Sequence, residues 1–79
     1  MTPEVTETRL PGIGIRYSFS TRDRDRISVI IRTDGDSELY VFGKFDADKP
    51  RAVVDLSEDE ARKLSAILGG AYELSLIHI

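Results

Sequence analysis

Short runs in which apolar and polar residues alternate constrain this chain most, because a period of two gives a β-strand one apolar face. Two such runs, Ile13 to Ser20 and Arg26–Arg32, are followed by two further strand-like segments, Ser37–Phe42 with apolar residues on both faces and the short, β-branched Ala52–Leu56. Turn signals separate them, so the sequence predicts an antiparallel meander of about four strands. Before them, residues 1–7 are polar without a turn signal, which indicates a frayed lead-in or a short edge strand.

Glycine and proline mark the connections between these runs. Residues 10–13, Leu-Pro-Gly-Ile, match a type II turn, in which proline presets its own φ and glycine accepts the positive φ that follows. Asp34-Gly35 predicts a hairpin with a type I′ turn. The charged residues 22–26 indicate another hairpin loop, and the polar residues 46–49 before Pro50 indicate a loop that leads to the last strand.

One segment has helical spacing, and it follows the last predicted strand. Ser57 and Glu60 form a capping-box signature, and Gly69-Gly70 predicts the end of the helix about 11 residues later. The apolar stripe between them consists of Ala61, Leu64, Ile67 and Leu68. The predicted fold is therefore α+β, a small antiparallel β-meander followed by one C-terminal helix packed on one face.

Length and charge narrow the classes of protein to which the chain can belong. Its 79 residues suffice for one small domain, and its formal charge of −3 argues against a nucleic-acid binder. It has no cysteine, which fits a reducing compartment. Its apolar runs are all far shorter than the roughly 20 residues that span a bilayer. We expect a soluble, cytoplasmic domain.

The predicted sheet carries apolar side chains on both faces. Ile30, Tyr40 and Phe42 lie opposite the main apolar set, and one short helix covers a single face. These three residues are therefore a candidate interface with another domain or with a second copy of the chain. The alternative is that the termini of the chain wrap them.

No pattern in the sequence predicts catalysis. The Gly-x-Gly of residues 12–14 precedes a strand, whereas a phosphate-binding loop follows a strand and opens a helix. The arginines of residues 22–26 could bind an anion, but the aspartates between them largely cancel their positive charge, so a solvated hairpin loop is favoured. Asp34, Asp36 and Glu38 alternate like metal ligands but lack the rest of a calcium loop. We expect no enzyme, no catalytic residue, no cofactor and no metal.

The motifs together resemble a known family. "TRLPGIGIRYSF", the "DG" hairpin, "ELYVF" and "AVVDLSEDEARKLSAILGG" are similar to the N-terminal domain of bacterial potassium/proton antiporter regulatory subunits, whose second half is a TrkA-C (RCK-C) domain. The resemblance covers Glu7 to about Gly70. It implies a dimeric regulator on the cytoplasmic side of a membrane cation/proton antiporter.

The resemblance also limits what can be carried over to these residues. In the family the TrkA-C domain binds the regulatory ligand, cyclic di-AMP in some members, and the sequence has no counterpart of that half. The resemblance therefore implies that these residues form a non-catalytic module that contributes dimerisation or contact with the transporter. The alternative is a generic protein-interaction or dimerisation domain fused to a different effector.

The last residues depart from the pattern before them. Residues 74–79, "LSLIHI", form an unpunctuated apolar run that includes the only histidine, His78. The DNA CTG TCT CTT ATA CAC ATC encodes this run and resembles a transposase adapter used in sequencing libraries. We interpret residues 1–73 as the domain and residues 74–79 as a non-native tail, with a genuine C-terminal strand as the alternative.

Overall fold

The computed structural model describes residues 4–70, which form one antiparallel sheet and one helix. The sheet order is β1-β2-β3-β4-β5, so each strand pairs only with its neighbours in the chain. The elements are β1 (Thr6–Leu10), β2 (Gly14–Ser20), β3 (Arg26–Arg32), β4 (Ser37–Gly43), β5 (Asp46–Leu56) and α1 (Glu58–Leu68). The predicted α+β meander is confirmed, with five strands rather than about four. The tail at residues 74–79, with His78, lies outside the described residues.

Both edges of the sheet are longer than predicted. The short edge strand considered for residues 1–7 is β1, which continues to Leu10 and pairs with β2. The loop predicted at residues 46–49 is wrong, because these residues begin β5 after a two-residue turn, Lys44-Phe45, that joins Gly43 to Asp46. Since β5 is an edge strand and residues 46–50 are exposed, no alternation of apolar and polar residues is required there.

The two glycines of "LPGIG" are explained by the backbone conformation and packing at their positions. Gly12 has φ of 77° and the Ile13 amide donates to the Leu10 carbonyl over 2.9 Å, which confirms the type II turn. A Cβ on Gly14 would overlap the carbonyl oxygen of Ile31 and lie 2.9 Å from the Cα of Arg32. Gly14 is therefore required by the close approach of β2 to β3.

The hairpin predicted at Asp34-Gly35 is confirmed, but its turn type is wrong. A type I′ turn needs positive φ at both residues, and between residues 4 and 70 the only non-glycine with positive φ is Arg24. Instead the Gly35 amide donates to the Arg32 carbonyl over 3.1 Å and Gly35 follows with φ of 97°. This is the three-residue loop in which a left-handed residue follows the turn.

The loop between β2 and β3 repeats this geometry with a different residue at the left-handed position. The Arg24 amide donates to the Thr21 carbonyl over 3.0 Å, and the Thr21 amide donates to the Asp25 carbonyl over 2.7 Å. Arg24 has φ of 70° where the other loop has Gly35. An arginine at that position stores backbone strain that glycine would not.

The helix begins and ends as predicted. Ser57 Oγ accepts from the Glu60 amide over 3.2 Å while Glu60 Oε1 accepts from the Ser57 amide over 2.8 Å, so both halves of the capping box form. On the exposed side, ion pairs join Arg62 to Glu58 and Lys63 to Asp59, each four residues apart.

The helix covers its face of the sheet incompletely. The apolar side chains on that face are Ile15, Tyr17, Phe19, Ile27, Val29, Ile31, Leu39, Val41, Val54 and Leu56. A groove of about 730 Å³ separates this face from α1. Among residues 4–70 only Ser28 and Ser37 are buried, whereas Ile31 is 48% and Leu68 78% exposed. The described residues therefore lack a closed hydrophobic core, and α1 shields only part of the apolar surface beneath it.

Candidate protein-interaction surface

The face of the sheet away from α1 holds the three residues predicted as an interface. Ile30, Tyr40 and Phe42 are half-buried and line one shallow depression of about 370 Å³ that extends across β1 to β4. The Tyr40 and Phe42 rings stack with centroids 6.3 Å apart and planes 14° from parallel. We call these three residues the aromatic patch. The structure places them together on a concave surface.

A guanidinium lies over one end of the aromatic patch. Arg26, opposite Phe42 in the β3–β4 register, places its Cζ 4.4 Å from the Phe42 ring centroid and its Nη2 donates to the Ala47 carbonyl over 3.4 Å. This cation–π contact fixes an exposed positive charge beside an aromatic ring. Arg26 was counted among the charged loop residues in the sequence, and its place beside the patch was missed, although its position in β3 puts it on the same face as Ile30.

A hydrogen-bonded acid lies at the other end of the patch. Tyr40 donates its hydroxyl proton to Glu38 Oε1 over 2.6 Å, and Arg32 Nη1 donates to Glu38 Oε2 over 2.8 Å. Both hydrogen bonds lower the pKa of Glu38, and the bond from Tyr40 has the larger effect. The same bond raises the pKa of Tyr40. Arg32 also contacts Asp34 over 3.2 Å. The network holds the Tyr40 ring in one orientation.

The centre of the depression is polar and closely packed. Ser18 and Ser28, paired across β2 and β3, share a hydrogen bond of 2.8 Å between their hydroxyls, and Ser28 is only 5% exposed. Within residues 4–70, every buried side-chain nitrogen or oxygen has a hydrogen-bond partner. The surface thus combines exposed aromatic carbon with satisfied polar groups, a composition typical of protein interfaces.

The remaining candidates from the sequence are accounted for by loop structure. Asp34 Oδ1 accepts from the Asp36 amide over 2.9 Å, which closes the β3–β4 loop and lowers the pKa of Asp34. Glu38 belongs to the network around Tyr40. In the part of the chain that the structure describes, no group of three or more acidic, histidine or cysteine side chains is placed to hold a metal ion.

The described helix is short compared with a membrane span. Within the described range of residues 4–70, the single helix, α1, has 11 residues, and no helix is long and apolar enough to cross a bilayer.

Comparison with known proteins identifies the family of this domain. The family described as "K(+)/H(+) antiporter subunit KhtT, N-terminal domain" matches residues 3–72. The chain belongs to this family. The resemblance inferred from the motifs between Glu7 and Gly70 is therefore confirmed for the KhtT N-terminal domain.

Three curated relatives share this domain. The chain is 50% identical over 66 residues to the uncharacterized protein YrvC of Bacillus subtilis (strain 168), and 39% identical over 66 residues to the K(+)/H(+) antiporter subunit KhtT of the same strain. It is 32% identical over 68 residues to the ammonium/H(+) antiporter subunit AmhM of Alkalihalophilus pseudofirmus. These matches cover 84%, 84% and 86% of the chain but only 40%, 40% and 41% of the relatives. The chain thus spans about two fifths of the length of each relative.

Proposed function

We propose that this chain is a non-catalytic regulatory module of a cytoplasmic subunit that controls a membrane antiporter exchanging potassium or another monovalent cation for protons. The observation that carries the proposal is the KhtT N-terminal domain match over residues 3–72. Two relatives are named as subunits of a K(+)/H(+) and an ammonium/H(+) antiporter. Since these names differ in the cation, the proposal extends to cation/proton exchange in general.

The aromatic patch is the surface through which this module would contact the antiporter or a sister subunit. Interfaces are enriched in aromatic residues and arginine, and Tyr40, Phe42 and Arg26 adjoin there. The subunit would then lie at the inner face of the membrane. A ligand such as cyclic di-AMP would act through a TrkA-C domain, and the site for it would lie outside these residues.

A chimera tests the role in transport. Residues 4–70 of this chain replace the matched 66-residue segment of Bacillus subtilis KhtT, and potassium-dependent proton movement is measured in inside-out vesicles that contain the antiporter of KhtT. We expect the chimera to support regulated exchange. If the chimera folds and assembles but leaves exchange unregulated, the alternative of an interaction domain for a different effector is favoured.

Two variants of the chimera test the aromatic patch. Tyr40→Glu places a charge in the patch, and Ile30→Thr removes apolar surface while keeping a β-branched side chain. Both should reduce copurification with the antiporter or with a sister subunit. Thr33→Glu, in an exposed turn, changes the formal charge by the same amount as Tyr40→Glu and serves as the control. Unchanged copurification of both patch variants, with circular dichroism showing a folded domain, would contradict the assignment.

A further inference from the structure

The turn between β4 and β5 carries residues that neither turn conformation nor packing explains. Lys44 and Phe45 form this two-residue turn, yet neither belongs to the glycine, proline, asparagine, aspartate and serine residues that favour turns. Phe45 is 93% exposed, so its ring contributes almost nothing to the stability of the sheet. A phenylalanine at this position therefore needs a reason outside the fold.

The neighbouring loop also departs from what the fold alone would select. Arg24, in the β2–β3 loop, has φ of 70°, the left-handed conformation that the β3–β4 loop gives to a glycine. Strained backbone of this kind gathers at functional sites, because some other requirement must outweigh its cost. The two loops lie at one end of the sheet, where Arg24, Lys44 and Phe45 line the same hollow. We call these three residues the cationic tip.

The charges of the cationic tip face solvent beside an apolar ring. Lys44 Nζ lies 5.2 Å from the Phe45 ring centroid. The ion pairs formed among residues 4–70 include neither Lys44 nor Arg24. Both side chains are therefore available to an anionic partner.

The acids at this end of the sheet leave it positive. They are Asp23, Asp25, Asp46 and Asp48. Asp25 lies 4.0 Å from the guanidinium of Arg51. Of the 11 cationic and 14 acidic residues in the chain, six and four lie within residues 22–26 and 44–51, which leaves five and ten elsewhere. A positive end is thus attached to a negative remainder.

The opposite end of the sheet is acidic. It holds Asp34 and Asp36 of the β3–β4 loop and residues 58–60, with which α1 begins. An added Cβ on Gly35 would lie 3.4 Å from Glu58 Oε2, so this loop adjoins the start of the helix. An anionic surface attracts one end of the domain and repels the other, which fixes the orientation of approach.

We propose that the cationic tip docks on an anionic phospholipid surface, with the Phe45 ring among the headgroups and Arg24 and Lys44 beside lipid phosphates. Membrane interfaces accommodate this combination, since an aromatic ring enters the headgroup region while basic side chains stay at the surface. A projecting tip suits a flat, deformable surface, whereas a pocket on a protein must match its shape. Lipid is therefore the partner that these observations favour.

The contact orients the domain rather than anchoring it. Each basic residue near an anionic membrane raises binding about fivefold, and insertion of one phenylalanine raises it about tenfold. Stable anchoring takes two strong signals, such as two acyl chains, and the tip supplies less. The inference rests on the proposed function for the presence of a membrane: the antiporter would hold the subunit there, and the cationic tip would set its tilt.

Cosedimentation with vesicles tests the lipid contact without the antiporter. The whole chain is mixed at millimolar lipid with vesicles of equal parts phosphatidylglycerol and phosphatidylcholine, or of phosphatidylcholine alone. We expect binding to the anionic vesicles only. Phe45→Ala should weaken it about tenfold and Lys44→Gln about fivefold.

Two substitutions on α1 are matched controls. Leu68→Ala removes an apolar side chain from a residue that is 78% exposed, and Arg62→Gln removes one positive charge from a side chain that is 70% exposed. Both variants should bind anionic vesicles like the original chain, because neither residue belongs to the cationic tip.

Arg24→Gly separates function from folding. Glycine relieves the left-handed backbone, so this variant should be more stable in urea, yet it should bind anionic vesicles about fivefold more weakly because it lacks the charge. Unchanged binding of Arg24→Gly would remove the strained arginine from the docking surface and overturn the inference as stated.

Tryptophan fluorescence locates the inserted residue. The chain has no tryptophan, so Phe45→Trp reports from the tip alone. Its emission should shift to the blue when anionic vesicles are added, and brominated phospholipid should quench it. Thr33→Trp, in the exposed loop at the opposite end of the sheet, is the control and should show neither change.

Three vesicle results would overturn the inference: no binding to anionic vesicles, equal binding to neutral vesicles, and tip variants that bind like the original chain. If the original chain does not bind vesicles but Phe45→Ala weakens copurification of the chimera with the antiporter, the tip contacts a protein pocket instead. Failure of the chimera with intact vesicle binding would refute the proposed transport role alone, and a working chimera without vesicle binding would refute the lipid contact alone.

Discussion

Replacing Gly14 by alanine should damage this domain much more than replacing Gly12, although the two glycines are only two residues apart. A methyl group at Gly14 would overlap the Ile31 carbonyl oxygen, and backbone atoms cannot move aside as a flexible side chain would. Relief requires β2 and β3 to separate where Gly14 faces Arg32. Losing two or three ladder hydrogen bonds there, at about 1 kcal/mol each, gives a cost of roughly 2–3 kcal/mol.

Gly12 provides the matched control for this substitution. A Cβ there would have nothing within 4 Å, so alanine meets only the cost of a φ of 77°. Left-handed backbone disfavours L-residues by about 1–2 kcal/mol. Alanine offsets part of this cost because it makes the unfolded chain less flexible than glycine does, so the net cost of Gly12→Ala is about 1 kcal/mol.

Thermal denaturation followed by circular dichroism compares the two variants. For a domain of this size about 1 kcal/mol shifts Tm by 4–8 °C, so Gly14→Ala should lower Tm by roughly 8–24 °C and Gly12→Ala by about 4–8 °C. The reasoning is refuted if Gly14→Ala costs no more than Gly12→Ala. A further check is hydrogen exchange, which should speed up at the Gly14 end of β2 and β3 in the first variant alone.

Three other substitutions test separate features. Arg24→Gly should stabilise the domain by up to about 1 kcal/mol in urea denaturation, because the relief of backbone strain at positive φ exceeds the cost of a more flexible unfolded chain. Destabilisation would contradict the strain assigned to Arg24. The folded domain lowers the pKa of Glu38 below 4.5, so its stabilising contribution is present above that pH and is lost as the pH falls through the folded-state pKa. Glu38→Gln should therefore flatten the decline of stability in acid, and an unchanged pH profile would argue against the network with Tyr40. Ser57→Ala should cost about 1 kcal/mol by removing one half of the capping box, with loss of helical ellipticity at lower urea; no change would show that the cap is dispensable.

The sequence predicted those elements whose signals are local. The capping box at Ser57 and the two glycines after Leu68 define α1 without reference to the rest of the fold, and Pro11-Gly12 defines its turn in the same way. The aromatic patch was found because strand alternation places Ile30 and Tyr40 on one face. Its status as an interface stays a prediction.

What the sequence did not predict depends on tertiary surroundings. The first residues of β5 are polar because an exposed edge needs no apolar face, so they were interpreted as a loop. The turn at Asp34-Gly35 is one residue longer than the dipeptide suggests, since the Asp34 side chain closes it through the Asp36 amide. The contact of Arg26 with Phe42 was missed because it depends on the register in which β3 pairs with β4.

The strictly sequential strand order has a consequence for how the domain is made. Every strand pairs with the strand just before or after it, so each hairpin closes a loop of only a few residues. Such short closures cost little chain entropy and favour fast folding. During synthesis β1 and β2 can join as soon as Ser20 has left the ribosome, and each later strand adds to an existing edge. The first strand made and the last strand added, β1 and β5, are therefore the two edges of the finished sheet.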